Sequence, residues 1–269
     1  MSPEARALES LLAFWADAGV EAAYAEAPQD RMAQGLEALR PRPIALAQPA
    51  RPLAPAQEPA PQAAEALELA RSLAAEAADL AALAAAIAAF EGCPLKFAGA
   101  RQAVFSRGDP DAPVMVIGEG PGADEDAQGE PFVGRAGKLL DRMLGAAGLT
   151  GRVFITNTVF WRPPGNRDPT PAEQQVCAPF LERAIALVRP KALLLVGGSA
   201  AKSVLQRKEG VLSLRGRWFE WRSADGALAL PAMPTLHPAF LLRQPAAKKK
   251  AWEDLLTLMD RVDRQARPS

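Results

Sequence analysis

Three short apolar runs constrain this chain more than any other feature: "PVMVIGE" from Pro113, "RVFITNT" from Arg152 and "KALLLVGG" from Lys191. Each is continuously apolar rather than alternating, so each reads as a strand covered on both faces. A glycine or asparagine turn follows each run, and then a helical pattern: "AGKLLDRMLGAAGL", "TPAEQQVCAPFLERAIALVRP" and "SAAKSVLQRK". Strand, loop and helix in this alternation predict an α/β fold with a parallel sheet between helices. "RGRWFEWR" and "LALPAMPTLHPAF" read as two further strands, the first at an edge, and "KKKAWEDLLTLMDRV" as a closing helix. Ligands of such folds sit beyond the strand C-termini. That rule places Glu119, Asn157 and Gly197 on one rim, with His237 joining them from beyond a later strand.

The N-terminal part has a different texture. "PEARALESLLAFWADAGV" has apolar residues at helical spacing, and Arg40 to Gln62 is too rich in proline for helix or sheet. "AAEALELARSLAAEAADLAALAAAIAAF" then reads as one long helix of high propensity that runs into the sheet domain. The expected division is a helical segment over 1–39, a linker over 40–62 and one domain over 63–269. The N-terminal segment is a candidate contact for a protein partner.

Lysine and arginine together number 31, and so do aspartate and glutamate, so there is no general basic footprint. Any nucleic-acid contact must come from a local patch. Two cysteines, Cys93 and Cys177, build neither a disulfide scaffold nor a four-cysteine metal site. The first residues lack the basic-then-apolar layout of a leader, and the Ala-rich stretch is broken by Glu76 and Asp79. A soluble, cytoplasmic monomer is the expectation.

The stretch "GEGPGADEDAQGEPFVGRAG" behind the first strand resembles a phosphate cradle at first sight. It carries five carboxylates and no lysine, and neither dinucleotide nor P-loop spacing. Glu119 stands at a strand end, where a half-buried carboxylate is costly unless it is used or paired. Phe132 is an aromatic ring among turn residues, suited to stacking on something flat. Asn157 ends the second strand with one acceptor and two donors, a match for a pyrimidine amide edge. His237, the single histidine, stands before a proline in "HPAFLLR". That segment suits an approach to DNA, with Leu241 as an apolar wedge and Arg243 on a phosphate.

Together, "GEGPGADEDAQGEPFVGRAGKLLDRML", "ITNTVFWRPPGNRDPTPAE", "RPKALLLVGGSAAKSVL" and "HPAFLLR" resemble the uracil-DNA glycosylase superfamily, most closely its family 4, over about Phe90 to Val262. The resemblance implies a three-layer α/β/α sandwich around a central four-stranded parallel sheet. It implies a monofunctional enzyme that flips deoxyuridine out of DNA and hydrolyses its N-glycosidic bond in base-excision repair. Glu119 takes the place of the carboxylate near the attacking water, with Glu125 a second functional carboxylate. Gly120, Pro121 and Gly122 allow close approach to the flipped base, Phe132 stacks on it, Asn157 reads its amide edge and His237 faces its O2. Arg243, Arg215 and Lys248 would meet the DNA backbone. No lysine stands beside Asn157 or His237 to form a Schiff base, so lyase activity is not expected.

Family 4 proteins usually hold an iron–sulfur cluster on four cysteines. The matching positions here are Phe90, Cys93, Trp161 and Cys177. With two ligands replaced by aromatic rings, the expectation is no cluster and no cofactor. The covalent uracil-binding subgroup is excluded, because it needs a further histidine that this chain lacks. Two other readings stay open: a catalytically silent DNA-binding or polymerase-associated module of the same fold, and a hydrolase of free nucleosides.

Overall fold

In the computed structural model, which describes residues 61–264, the predicted strands form the spine of a six-stranded sheet. The chain enters through α1 (Pro61–Glu76) and α2 (Leu80–Ala89). The expected single helix is therefore broken in two. Asp79 causes the break, because its side chain accepts from Ala82 N–H and caps a new helix. The expected helical segment 1–39 and residues 40–60 of the expected linker lie outside the described residues, while the last two linker positions, Pro61 and Gln62, already belong to α1.

The sheet contains β1 (Ser106–Gly108), β2 (Val114–Gly118), β3 (Val153–Asn157), β4 (Ala192–Val196), β5 (Phe219–Arg222) and β6 (Ala229–Thr235), in the order β1-β3-β2-β4-β6-β5. The four central strands run parallel, and β1 and β5 close the edges antiparallel. The four-stranded parallel sheet implied by the resemblance is thus present, with an added antiparallel strand at each edge. Between the strands lie α3 (Ala123–Gln128), α4 (Arg135–Ala146), α5 (Pro171–Val188), α6 (Gly198–Leu205) and α7 (Val211–Leu214). After β6 come α8 (Pro238–Arg243) and α9 (Lys248–Arg264).

Strand parity divides the core into two layers. Met115, Ile117, Phe154, Leu193 and Leu195 face Leu83, Ile87, Phe180 and Ile185 of α2 and α5. Val114, Val116, Ile155, Leu194 and Val196 face Leu140 and Leu144 of α4 and Leu255 and Leu258 of α9. Every residue of β2, β3 and β4 is buried, which is why these strands show no polar alternation. No helix among the described residues is long and apolar enough to cross a membrane.

Candidate functional site

The floor of the site follows from strand register. Gly118 and Asn157 end β2 and β3 as paired neighbours. Asn157 is buried, yet its Oδ1 has no hydrogen-bond partner among the described residues. A buried amide oxygen left open costs on the order of 1–3 kcal/mol unless a ligand or water meets it. Gly118 makes room for that oxygen: a Cβ there would stand 2.4 Å from Asn157 Oδ1 and 2.5 Å from the Phe132 ring.

The Phe132 ring is packed in rather than displayed at the rim, being only 7% exposed. Its backbone lies in the left-handed region at φ 57°, a costly conformation for a bulky side chain. Neighbours hold it there. Arg107 Nε donates to the Pro131 carbonyl at 2.7 Å, and Nη2 donates to the Phe132 carbonyl at 3.2 Å and to Asp141 at 2.6 Å. Glu125 secures the other side: Oε2 accepts from Gly122 N–H, and Oε1 from the N–H groups of Val133 and Gly134, all at 3.0 Å. Both Glu125 oxygens thus accept from loop N–H groups and tie the loop together, while the residue also borders the cleft and its charge acts on His237. Sequence reasoning, which expected catalysis of it, could not see these bonds.

The strand expected to run through Phe240 ends at Thr235, and "HPAFLLR" forms a short helix, α8, because Pro238 suits a first helical turn and His237 caps it. His237 Nδ1 accepts from Ala239 N–H at 3.1 Å. Nδ1 is therefore unprotonated, and the neutral ring carries its proton on Nε2. Burial, helped by the Arg243 charge, pushes His237 down to about 4 against a smaller opposing pull from Glu125. The ring stacks loosely on Phe132, centroids 5.8 Å apart and planes 32° apart.

Glu119 leaves β2 facing two partners that the sequence did not single out. Burial, then the charge of Asp168 and a hydrogen bond with it, push Glu119 up to about 7, while a hydrogen bond from Ser199 opposes the rise. Glu119, Gly120, Pro121, Gly122, Phe132, Asn157 and His237 all border one cleft of about 440 Å³. Arg243 and Asp168 stand at its mouth. The expected base-contacting residues therefore line one cleft, and sequence reasoning did not single out Asn166 and Asp168 of its lining or Ser199, which meets Glu119.

Two expected DNA contacts do not fit their assignments. Leu241 is fully buried against Leu236 and Ala251, whereas its neighbour Leu242 is 39% exposed, so Leu241 is not free to act as a wedge. Arg215 is tied internally: Nε and Nη2 bond Asp254 at 3.1 and 2.6 Å, and Nη2 also donates to the Lys250 carbonyl. Asp254 in turn accepts from Thr235 Oγ1 at 2.7 Å. Lys248 is exposed at the start of α9.

At the four positions aligned with cluster ligands, Phe90, Cys93, Trp161 and Cys177 are all buried. Cys177 Sγ lies 3.9 Å from Cys93 Sγ, and both remain free thiols. Burial raises Cys177 well above the usual thiol range, while the bond from Cys177 lowers Cys93. Phe90 packs on Phe180 at 5.1 Å and on Trp161 at 6.4 Å between ring centroids. Two thiols and a packed aromatic cluster do not fit a four-thiolate iron–sulfur group. Among the described residues no group of three or more His, Cys, Asp or Glu could hold a metal ion.

Comparison with known proteins gives a consistent answer. Residues 105–256 match the Uracil DNA glycosylase superfamily. The chain is 39% identical over 158 residues to the type-4 uracil-DNA glycosylase of Sulfurisphaera tokodaii, covering 56% of this chain and 71% of that protein. For the type-4 enzyme of Pyrobaculum aerophilum the figures are 38% over 169 residues, 61% and 84%. For that of Thermotoga maritima they are 37% over 153 residues, 56% and 77%.

Proposed function

This chain belongs to the uracil-DNA glycosylase superfamily, and from that premise we propose that it is a monofunctional uracil-DNA glycosylase. It flips deoxyuridine out of DNA and hydrolyses the N-glycosidic bond in base-excision repair. The observation that carries this reading is the buried, unpartnered Asn157 Oδ1 beside a neutral His237 whose free proton is on Nε2. Uracil presents O2, N3–H and O4 along one edge. Asn157 accepts from N3–H and donates its amide to O4, a pairing that cytosine, with N3 as acceptor and an amino group at C4, reverses. His237 donates from Nε2 to O2.

The chemistry follows from where charge moves. As N1–C1′ breaks, its electron pair leaves with the base and spreads onto O2 and O4, while the sugar becomes cationic. Hydrogen bonds from His237 and Asn157 strengthen on that anion and so lower the barrier rather than merely binding substrate. Water adds to C1′ and gives its proton to the Glu119 carboxylate. A loop rich in carboxylates therefore suits a neutral base beside a developing cation. The test is uracil release from a single-uracil oligonucleotide, beside deoxyuridine as the free nucleoside. Release from DNA alone supports the reading; release from the nucleoside alone, or from neither, overturns it.

Arg243 at the cleft mouth and Lys248, Lys249 and Lys250, all exposed, are the cations offered to the DNA backbone. Replacing them by glutamine is expected to flatten the dependence of log affinity on log salt by about one unit of slope for each phosphate no longer neutralised. An unchanged slope would remove them from the interface. We further infer that no iron–sulfur cluster is held, because the chain has two cysteines and the other two ligand positions are buried rings. Purified protein should be colourless and free of stoichiometric iron and acid-labile sulfide. Stoichiometric iron after anaerobic purification would reverse that inference.

A further inference from the structure

Asp168 meets Glu119 across the cleft, and nothing in the base-binding account uses it. We propose that Asp168 is a positioning residue for the hydrolytic step, a second carboxylate that holds Glu119 as the base for the attacking water and accepts a hydrogen bond from Glu119 once Glu119 has taken the water proton. The proposal rests on the glycosylase reading of this cleft.

Both partners are built in place. The Glu119 carbonyl accepts from Thr158 Oγ1 at 2.6 Å and from Val159 N–H at 3.3 Å. Arg167, immediately before Asp168, is bound to Glu173 at 2.6 and 2.9 Å and donates to the Asp168 carbonyl at 2.9 Å. Pro169 on the other side is buried, and Thr170 caps α5. A clamped segment thus presents the exposed Asp168 side chain to Glu119. On the opposite side the Gln174 amide donates to Ser199 Oγ at 3.1 Å. That bond leaves the Ser199 hydroxyl proton for the Glu119 carboxylate.

The other charged groups lining the cleft are otherwise engaged. Glu125 spends its oxygens on backbone N–H groups, Arg167 is paired with Glu173, and Arg243 acts on His237, which is itself neutral. Asp168 is therefore the like charge set against Glu119, with Ser199 as the opposing donor. In the reaction the water oxygen bonds to C1′, the N1–C1′ electron pair leaves with the uracil anion, and the water proton passes to Glu119. The protonated Glu119 then donates to Asp168. A base poised near neutral pH performs this transfer better than an ordinary carboxylate.

The signs are opposite for the two neighbours, which makes the proposal testable. Only ionised Glu119 accepts the proton, so the rate should fall as pH drops through about 7. Asp168→Asn removes the like charge and supplies an amide donor, so the acid limb should move down by about one pH unit, with a lower plateau rate. Ser199→Ala removes a donor to the carboxylate, so its limb should move up. The experiment measures single-turnover release against pH for the full chain and both variants. It is paired with a carbon-13 NMR titration of the Glu119 carboxyl, which needs no substrate. A Glu119 midpoint unmoved in Asp168→Asn, or moved the same way by both variants, overturns the proposal. A merely structural role would lower stability and leave both the midpoint and the limb in place. A wild type whose Glu119 titrates as expected but which releases no uracil would instead sink the glycosylase reading and, with it, the base role given to Glu119.

Discussion

Asn157→Ala is expected to lower the rate of uracil release by about 10²–10³-fold while leaving the stability of the protein within about 1 kcal/mol. The two halves of this prediction have one cause. Oδ1 of Asn157 is buried without a partner, so in the free protein it contributes desolvation cost rather than a bond. Removing it relieves that cost, which offsets the packing that the side chain supplied. In the substrate complex the same atom meets uracil N3–H, and the amide strengthens its hold as the base becomes an anion. A structural asparagine would behave in the opposite way, losing stability first. Thermal unfolding beside single-turnover release separates the two. Release within tenfold of wild type would remove Asn157 from base recognition.

The parts of this molecule that were legible in its sequence are those decided by local pattern. β2, β3 and β4 are buried on both faces, and a continuous apolar run shows that directly. The rim of Glu119, Asn157 and Gly197 follows once the strands are parallel, because their C-terminal ends must lie together. What was missed depends on contacts between distant segments. β1 has three residues, "SRG", with no apolar pattern, and exists only through its pairing with β3. Leu241 and Leu242 are adjacent and chemically identical, so nothing in their spacing says which is buried against Leu236. Arg215 reads as a free cation until the fold brings Asp254 to it. Glu125 and Asp168 are both carboxylates near a cleft, yet one spends its oxygens on backbone amides and the other faces Glu119. Only tertiary geometry separates those roles. A carboxylate in the loop after β3, opposite Glu119, was the one sequence signal that could have pointed to Asp168.

The second large effect sets helix propensity against packing, and the magnitudes decide it. Gly137 lies inside α4, where alanine is favoured over glycine by about 1 kcal/mol. Propensity alone therefore predicts that Gly137→Ala stabilises the protein. A Cβ at Gly137, however, would stand 1.7 Å from the Phe132 carbonyl oxygen, and what it meets is backbone that cannot rotate aside. That backbone already carries the left-handed strain of Phe132 and is clamped by Arg107 and Glu125. Either α4 shifts or the Phe132 segment lets go of its clamps, and either way the ring leaves the floor of the base pocket. A net loss on the order of 3 kcal/mol or more is expected, with uracil release falling at least as far as in Asn157→Ala. Gly145→Ala in the same helix supplies the control, since its Cβ would come no nearer than 3.4 Å, to Thr150 Oγ1. There propensity should win, and unfolding midpoints should stay level or rise with release unchanged. If Gly137→Ala also stays level, the close approach of α4 to Phe132 does not hold the pocket, and the stacking ring must be placed by some other contact.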